Sequence, residues 1–213
     1  MEPPTGFLEF SVRGMNYVVY LPKNAKSPCP AILFLHGRGE SGHDGLKQVI
    51  QGVGSAVMWD RSRWPFLIIF PQKPDHDKLW PDYRKELNLI LKSVEEGFDI
   101  DPHKRYITGL SQGGHGTYRL AGSLDWNFAA AAPICGWCDD DESLRKLHDI
   151  PVWAFHGDAD TAVPVKGSQD AVAKIKQFGG DAKLTIFEGV DHNSWDKAYR
   201  ETDLPTWLLS ESL

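Results

Sequence analysis

The chain is poor in cysteine, with three in 213 residues. A sparse, odd set argues against a disulfide framework, and three thiols cannot complete a four-cysteine zinc site. Cys135-Gly136-Trp137-Cys138 has the spacing of a redox motif. A thioredoxin-like pair, however, opens a helix near the N-terminus, and this one follows a late strand, so two reduced thiols or a minor local disulfide are expected. Long apolar runs are missing too, which predicts no membrane span. Met1–Gly6 lacks a basic stretch followed by an apolar one, so no signal peptide is visible. The compartment stays open between the cytoplasm and one domain of a longer secreted protein. Positive charge is in deficit. Lys and Arg number 23 against 29 Asp and Glu, a net charge of −6, which disfavours nucleic acid and anionic lipid as main partners. Repeats, low-complexity tracts and linkers are absent, and 41% hydrophobic residues suit one domain over residues 1–213.

What is present is an alternation of strands and helices. Phe7 to Val12 and Tyr17 to Leu21 flank Arg13-Gly14-Met15-Asn16 and read as an antiparallel hairpin. Ala31 to Leu35 and Phe66 to Phe70 are continuous apolar runs of strand length, as expected of parallel strands buried on both faces. A helix is expected around Leu46 to Val57. Another is expected over Asp82 to Phe98, where Leu87, Ile90, Leu91, Val94 and Phe98 recur at helical spacing. Strands follow at Lys104 to Thr108, Phe128 to Ile134, Val152 to Phe155 and Leu184 to Phe187. Helices are expected after Gly113, over Val165 to Phe178, and at Asn193 to Tyr199 and Leu204 to Leu209. This order predicts an α/β fold with a mostly parallel, doubly wound sheet and an N-terminal antiparallel hairpin. Ligands of such sheets bind at the carboxyl ends of the strands.

The stretch Gly109-Leu110-Ser111-Gln112-Gly113 lies between a predicted strand and a predicted helix. Gly-x-Ser-x-Gly in that setting is the nucleophile elbow of an α/β-hydrolase, a strained turn that lifts the serine hydroxyl to the top of the sheet. Serine needs a base. In this fold the chain order is serine, acid, histidine. Of eight histidines, His192 alone follows the last strand, in Gly189-Val190-Asp191-His192. His43, His76, His103 and His148 read as surface residues, His115 as pointing into the protein, and His156 as preceding the acid loop. That loop, Gly157-Asp158-Ala159-Asp160-Thr161, offers two aspartates. Asp160 is the choice, with Asp158 better suited to bonding loop amides and Asp191 a weaker rival. The oxyanion of the reaction would rest on the amides of Gln112 and of Arg38, in His36-Gly37-Arg38-Gly39, with Gly37 letting the backbone approach substrate.

These segments together resemble the phospholipase/carboxylesterase family of α/β-hydrolases, which includes acyl-protein thioesterases. Gly113 to Tyr118 and Ala132 to Gly136 also resemble feruloyl-esterase-like hydrolases. The resemblance runs from Ala31 to His192. It implies that the second aspartate of Gly-Asp-x-Asp, Asp160, is catalytic. It also implies that Trp80, in the loop after the Phe66 to Phe70 strand, walls the acyl or aryl pocket. Trp137 and Trp195, on other strand-end loops, are further candidates for touching substrate. Arg38 departs from the family, where a hydrophobic residue follows His-Gly, and suggests a polar mouth.

The expectation is a serine carboxylesterase cutting short-chain or polar esters, small or hung on a polymer, through an acyl-enzyme on Ser111, His192 and Asp160. It would need neither metal nor organic cofactor. The same machinery would serve an acyl-protein or acyl-CoA thioesterase or a lysophospholipase. A non-catalytic binding module on this fold is the alternative of another class. No large lid is expected, because little chain separates Ile134 from Val152. Oligomeric state is left open by the sequence.

Overall fold

The computed structural model describes residues 5–23 and 25–213. Met1–Pro4, part of the stretch read as lacking a leader, lie outside them. Eight strands form one sheet: β1 (Gly6–Val12), β2 (Met15–Leu21), β3 (Cys29–Leu35), β4 (Leu67–Pro71), β5 (Ile100–Leu110), β6 (Ala130–Ile134), β7 (Val152–Gly157) and β8 (Ala182–Phe187). Their order across the sheet is β1-β2-β4-β3-β5-β6-β7-β8. β1 and β2 form the antiparallel hairpin, β2 pairs antiparallel with β4, and every other pairing is parallel.

The continuous apolar runs are explained by side chains alternating between two buried faces. Along β3, Ala31, Leu33 and Leu35 join one core, while Ile32 and Phe34 join the other. The first core is closed by α2 (Arg84–Gly97), α3 (Gln112–Leu120), α4 (Asp141–Arg145) and α5 (Lys166–Gln177), through residues such as Ile90, Tyr118, Leu144 and Ile175. The second is closed by α1 (Val53–Trp59), α6 (Trp195–Glu201) and α7 (Leu204–Ser210), through Val57, Tyr199 and Leu208. Between β6 and β7 the only helix is the five-residue α4.

The helix expected at Leu46 to Val57 is displaced. Residues 46–52 form turns, and α1 begins only after Gly52, whose φ is +56°. Side chains hold the turns: Asp44 Oδ1 accepts the Leu46 and Lys47 amides at 2.9 and 3.0 Å, and Gln72 Oε1 accepts that of Gly45 at 2.8 Å. Such local bonds compete with helix formation. The helix expected from Asp82 starts instead as a 3₁₀ turn, Trp80–Tyr83, before α2.

Candidate active site

The close seating of α3 on the sheet creates the site. A Cβ on Gly113 would lie 1.8 Å from the Leu35 carbonyl oxygen, and one on Gly114 would lie 2.4 Å from that of Ile134. Only bare glycines let this helix start so near β3 and β6. Ser111, between β5 and α3, has φ +55° and ψ −116°. For a non-glycine residue this is a strained backbone, and it is held by a hydrogen bond that the Ser111 N–H donates to the Ile134 carbonyl at 2.9 Å. The amide also approaches Cys135 Sγ, at 3.2 Å.

Ser111 Oγ lies 3.0 Å from His192 Nε2, and His192 Nδ1 lies 2.7 Å from Asp160 Oδ2. Three strand-end loops thus meet: those after β5, β7 and β8. Asp160 is buried, and its Oδ1 accepts the amides of Ala162 and Val163 at 2.9 and 2.8 Å. Burial pushes its carboxyl upward, but the bond from His192 and the Val163 and Ala162 amides outweigh that and hold it below the usual carboxylate range. The rival aspartates are engaged elsewhere. Asp158 Oδ1 accepts the Gly189 amide at 2.7 Å, tying the two loops together, and Asp191 Oδ1 accepts that of Asn193 at 3.1 Å.

The His36–Gly39 loop borders the serine from the other side. A Cβ on Gly37 would sit 3.5 Å from that of Ser111. No hydrogen bond of the described residues engages the Arg38 amide. Gln112 opens α3, where the first amides have no intrahelical acceptor. The Arg38 guanidinium turns outward to Asp77, at 2.8 Å. His36 is a clamp. Its Nδ1–H donates to the Gly37 carbonyl at 2.6 Å, and its Nε2 accepts the Lys73 amide at 3.1 Å. Burial pushes it down to about 3, so it is neutral at ordinary pH.

Trp80 does not wall a pocket. It is fully buried, donates its indole N–H to the His36 carbonyl at 2.9 Å, and packs beneath Gly116 of α3. Its place is below the loop and the helix, where it props both. Trp195 stands edge-on to the His192 ring at 5.5 Å. Trp137 lies against His115 with ring centres 4.8 Å apart, and lines an apolar groove of about 400 Å³ with Ala162, Val163, Pro164 and Gly167. Cys135 and Cys138 are buried free thiols.

Sequence reasoning missed His156, which touches Asp160. The available signal was the alternation along β7: Ala154 belongs to the core face shared with α5, and His156, two residues on, meets Ser168 of that helix. Among the described residues, the side chains grouped closely enough to share a metal are Asp75, His76 and Asp77. All are exposed, Asp77 is paired with Arg38, and Asp75 Oδ1 accepts the Asp77 amide. No described helix is long and apolar enough to cross a membrane.

Known proteins share this arrangement of elements. Residues 72–202 match the phospholipase/carboxylesterase family. Over 160 residues the chain is 30% identical to the protein NocK of Nocardia uniformis subsp. tsuyamanensis, an alignment covering 70% of this chain and 45% of NocK. It is 23% identical to acyl-protein thioesterase 1 of Candida albicans, covering 83% of this chain and 90% of that one. The crystal structure of a thermostable esterase superposes with a TM-score of 0.85 at 30% identity, over 97% of this chain and 63% of its own. The chain therefore spans about half to two thirds of the length of NocK and of that esterase.

Proposed function

The chain belongs to the phospholipase/carboxylesterase family of α/β-hydrolases, a family of carboxylic-ester hydrolases, and from that premise we propose that it hydrolyses short-chain or polar carboxylic esters through an acyl-enzyme on Ser111. The observation that carries this is the unbroken line Ser111 Oγ, His192, Asp160, with links of 3.0 and 2.7 Å. In this reading His192 Nε2 takes the hydroxyl proton as Ser111 Oγ attacks the ester carbonyl carbon. The oxyanion rests on the Arg38 and Gln112 amides. The proton passes from His192 to the leaving alkoxide, and the alcohol departs. Water, deprotonated by the same ring, then releases the acid and restores the serine. Asp160 keeps the ring in the tautomer with its proton on Nδ1 and stabilises the imidazolium.

A polar mouth is supported by the exposed Arg38–Asp77 pair beside the oxyanion loop. The apolar groove at Trp137 would take a small acyl or aryl group. Thioester hydrolysis is the second reading, favoured by the likeness to the Candida thioesterase. The test is hydrolysis of p-nitrophenyl acetate and butyrate by the wild type and by Ser111→Ala. A loss of about 10³-fold or more in kcat is expected, and unchanged hydrolysis by Ser111→Ala overturns the assignment. A panel of short acyl, long acyl, feruloyl, acetyl-sugar and acyl-thioester substrates separates the two readings.

A further inference from the structure

Asp160 holds two histidines on one oxygen. Its Oδ2 lies 2.7 Å from His192 Nδ1 and 3.2 Å from Nε2 of His156. The side chains of His156 and Asp160 have no solvent exposure. His156 Nε2 also lies 2.9 Å from the Val163 carbonyl oxygen. Both neighbours of Nε2 are pure acceptors, so that nitrogen carries a proton and shares it between them. On the far side of the ring, Nδ1 meets Ser168 Oγ at 2.8 Å, and Ser168 Oγ is 3.0 Å from the Gly136 carbonyl oxygen. Burial pushes His156 below its ordinary value, against the pull of the Val163 carbonyl and of Asp160. Burial thus favours the neutral ring with its proton on Nε2, and the single Ser168 hydroxyl proton faces two acceptors, Nδ1 and the Gly136 carbonyl.

We propose that His156, oriented by Ser168, is a positioning residue for Asp160: its Nε2–H fixes the carboxylate oxygen that faces His192 and takes up part of that oxygen's charge. This inference rests on the reading of Ser111, His192 and Asp160 as the working triad. The geometry fits the role closely. The two loop amides fill Oδ1 and leave Oδ2 to the two rings. Val163 gives its amide to Asp160 and its carbonyl to His156, so the acid loop is closed around the carboxylate from both ends. Without the His156 donor, Oδ2 loses a buried hydrogen bond, and its charge falls on His192 alone. That favours the protonated form of His192, which cannot accept the Ser111 proton. The groups facing His192 are Asp160, Ser111 and the edge of Trp195, and those facing His156 are Asp160, Ser168 and the Val163 carbonyl.

The experiment compares His156→Leu, His156→Gln and Ser168→Ala with the wild type and with Ser111→Ala, using p-nitrophenyl butyrate across pH 5 to 9. For His156→Leu, the loss of a charge-assisted bond predicts kcat down by about tenfold or more, with KM little changed and the acidic limb of kcat/KM moved to higher pH. Gln can place an amide N–H near the position of Nε2, so His156→Gln is expected to restore most of kcat and return the limb. Ser168→Ala frees the ring from its rear partner and is expected to give a smaller shift of the limb in the same direction. A role in stability alone lowers the melting temperature and leaves the limb in place, and that outcome overturns the proposal. So does a His156→Gln as impaired as His156→Leu. Activity retained by Ser111→Ala would instead overturn the triad reading, so the two failures are distinguishable.

Discussion

His36 is fully buried beside the loop that borders Ser111, and its protonation reaches the whole fold. With the folded form binding a proton only near pH 3, the unfolded chain binds more protons between there and about pH 6.5. The stability this residue contributes is complete above pH 6.5 and is lost as pH falls towards 3. His115, lowered to about 4 by burial, adds in the same direction. Urea unfolding at pH 5 is therefore expected to show a stability at least about 2 kcal/mol below that at pH 7.5, and a flat profile contradicts the buried neutral state. Trp80 gives a second expectation. Trp80→Phe removes the donor to the His36 carbonyl, at a cost of about 2 kcal/mol in unfolding experiments. KM for a short ester is expected to stay put, since the indole is sealed from substrate; a raised KM would place the ring at the pocket. At this scale motif and chain order together single out Ser111, Asp160 and His192, which the fold brings within hydrogen-bond reach of one another. It was silent where tertiary packing aims a side chain. Nothing local to Lys78-Leu79-Trp80-Pro81 says that the indole turns under α3, and nothing in Phe155-His156-Gly157 says that the imidazole reaches the acid.

The strand-to-helix turn carries the strictest steric demand at the scale of elements. Gly114→Ala places a Cβ against the backbone of β6, at the Ile134 carbonyl, which cannot yield as a side chain would. A destabilisation of about 3 kcal/mol is expected from such overpacking. Esterase activity should fall further than the folded fraction, because α3 aims the Gln112 amide. Circular dichroism alongside turnover checks this, and a fully active, fully stable Gly114→Ala would refute the close seating. The elements themselves were mostly visible in advance. Apolar runs such as Ala31 to Leu35 and Phe66 to Phe70 declare strands buried on both sides, and the 3.6-residue spacing of Leu87, Ile90, Leu91 and Val94 declares α2. The segment at residues 46–52 was misjudged as helix because Asp44 and Gln72 capture its amides. Leu46 and Ile50 in this segment are exposed.

For the molecule as a whole, the short connection between β6 and β7 has room only for α4, and the exposed Arg38–Asp77 pair stands at the loop after β3. No step in rate is expected as a p-nitrophenyl ester is raised through its solubility limit; an abrupt rise there would mean that an interface opens the site. The layout of the sheet has one more consequence. Ser111 leaves a central strand, but His192, the proposed base, follows β8, the outermost strand, which among the described residues pairs only with β7 and leaves Ile186 open to water. Edge elements with few buried contacts open at lower free energy than the whole fold. Fraying of β8 withdraws His192 while β3, β4 and β5 are still packed, so a slowly heated sample goes silent in the assay before its far-ultraviolet spectrum changes, and recovers on cooling as quickly as one strand can zip back.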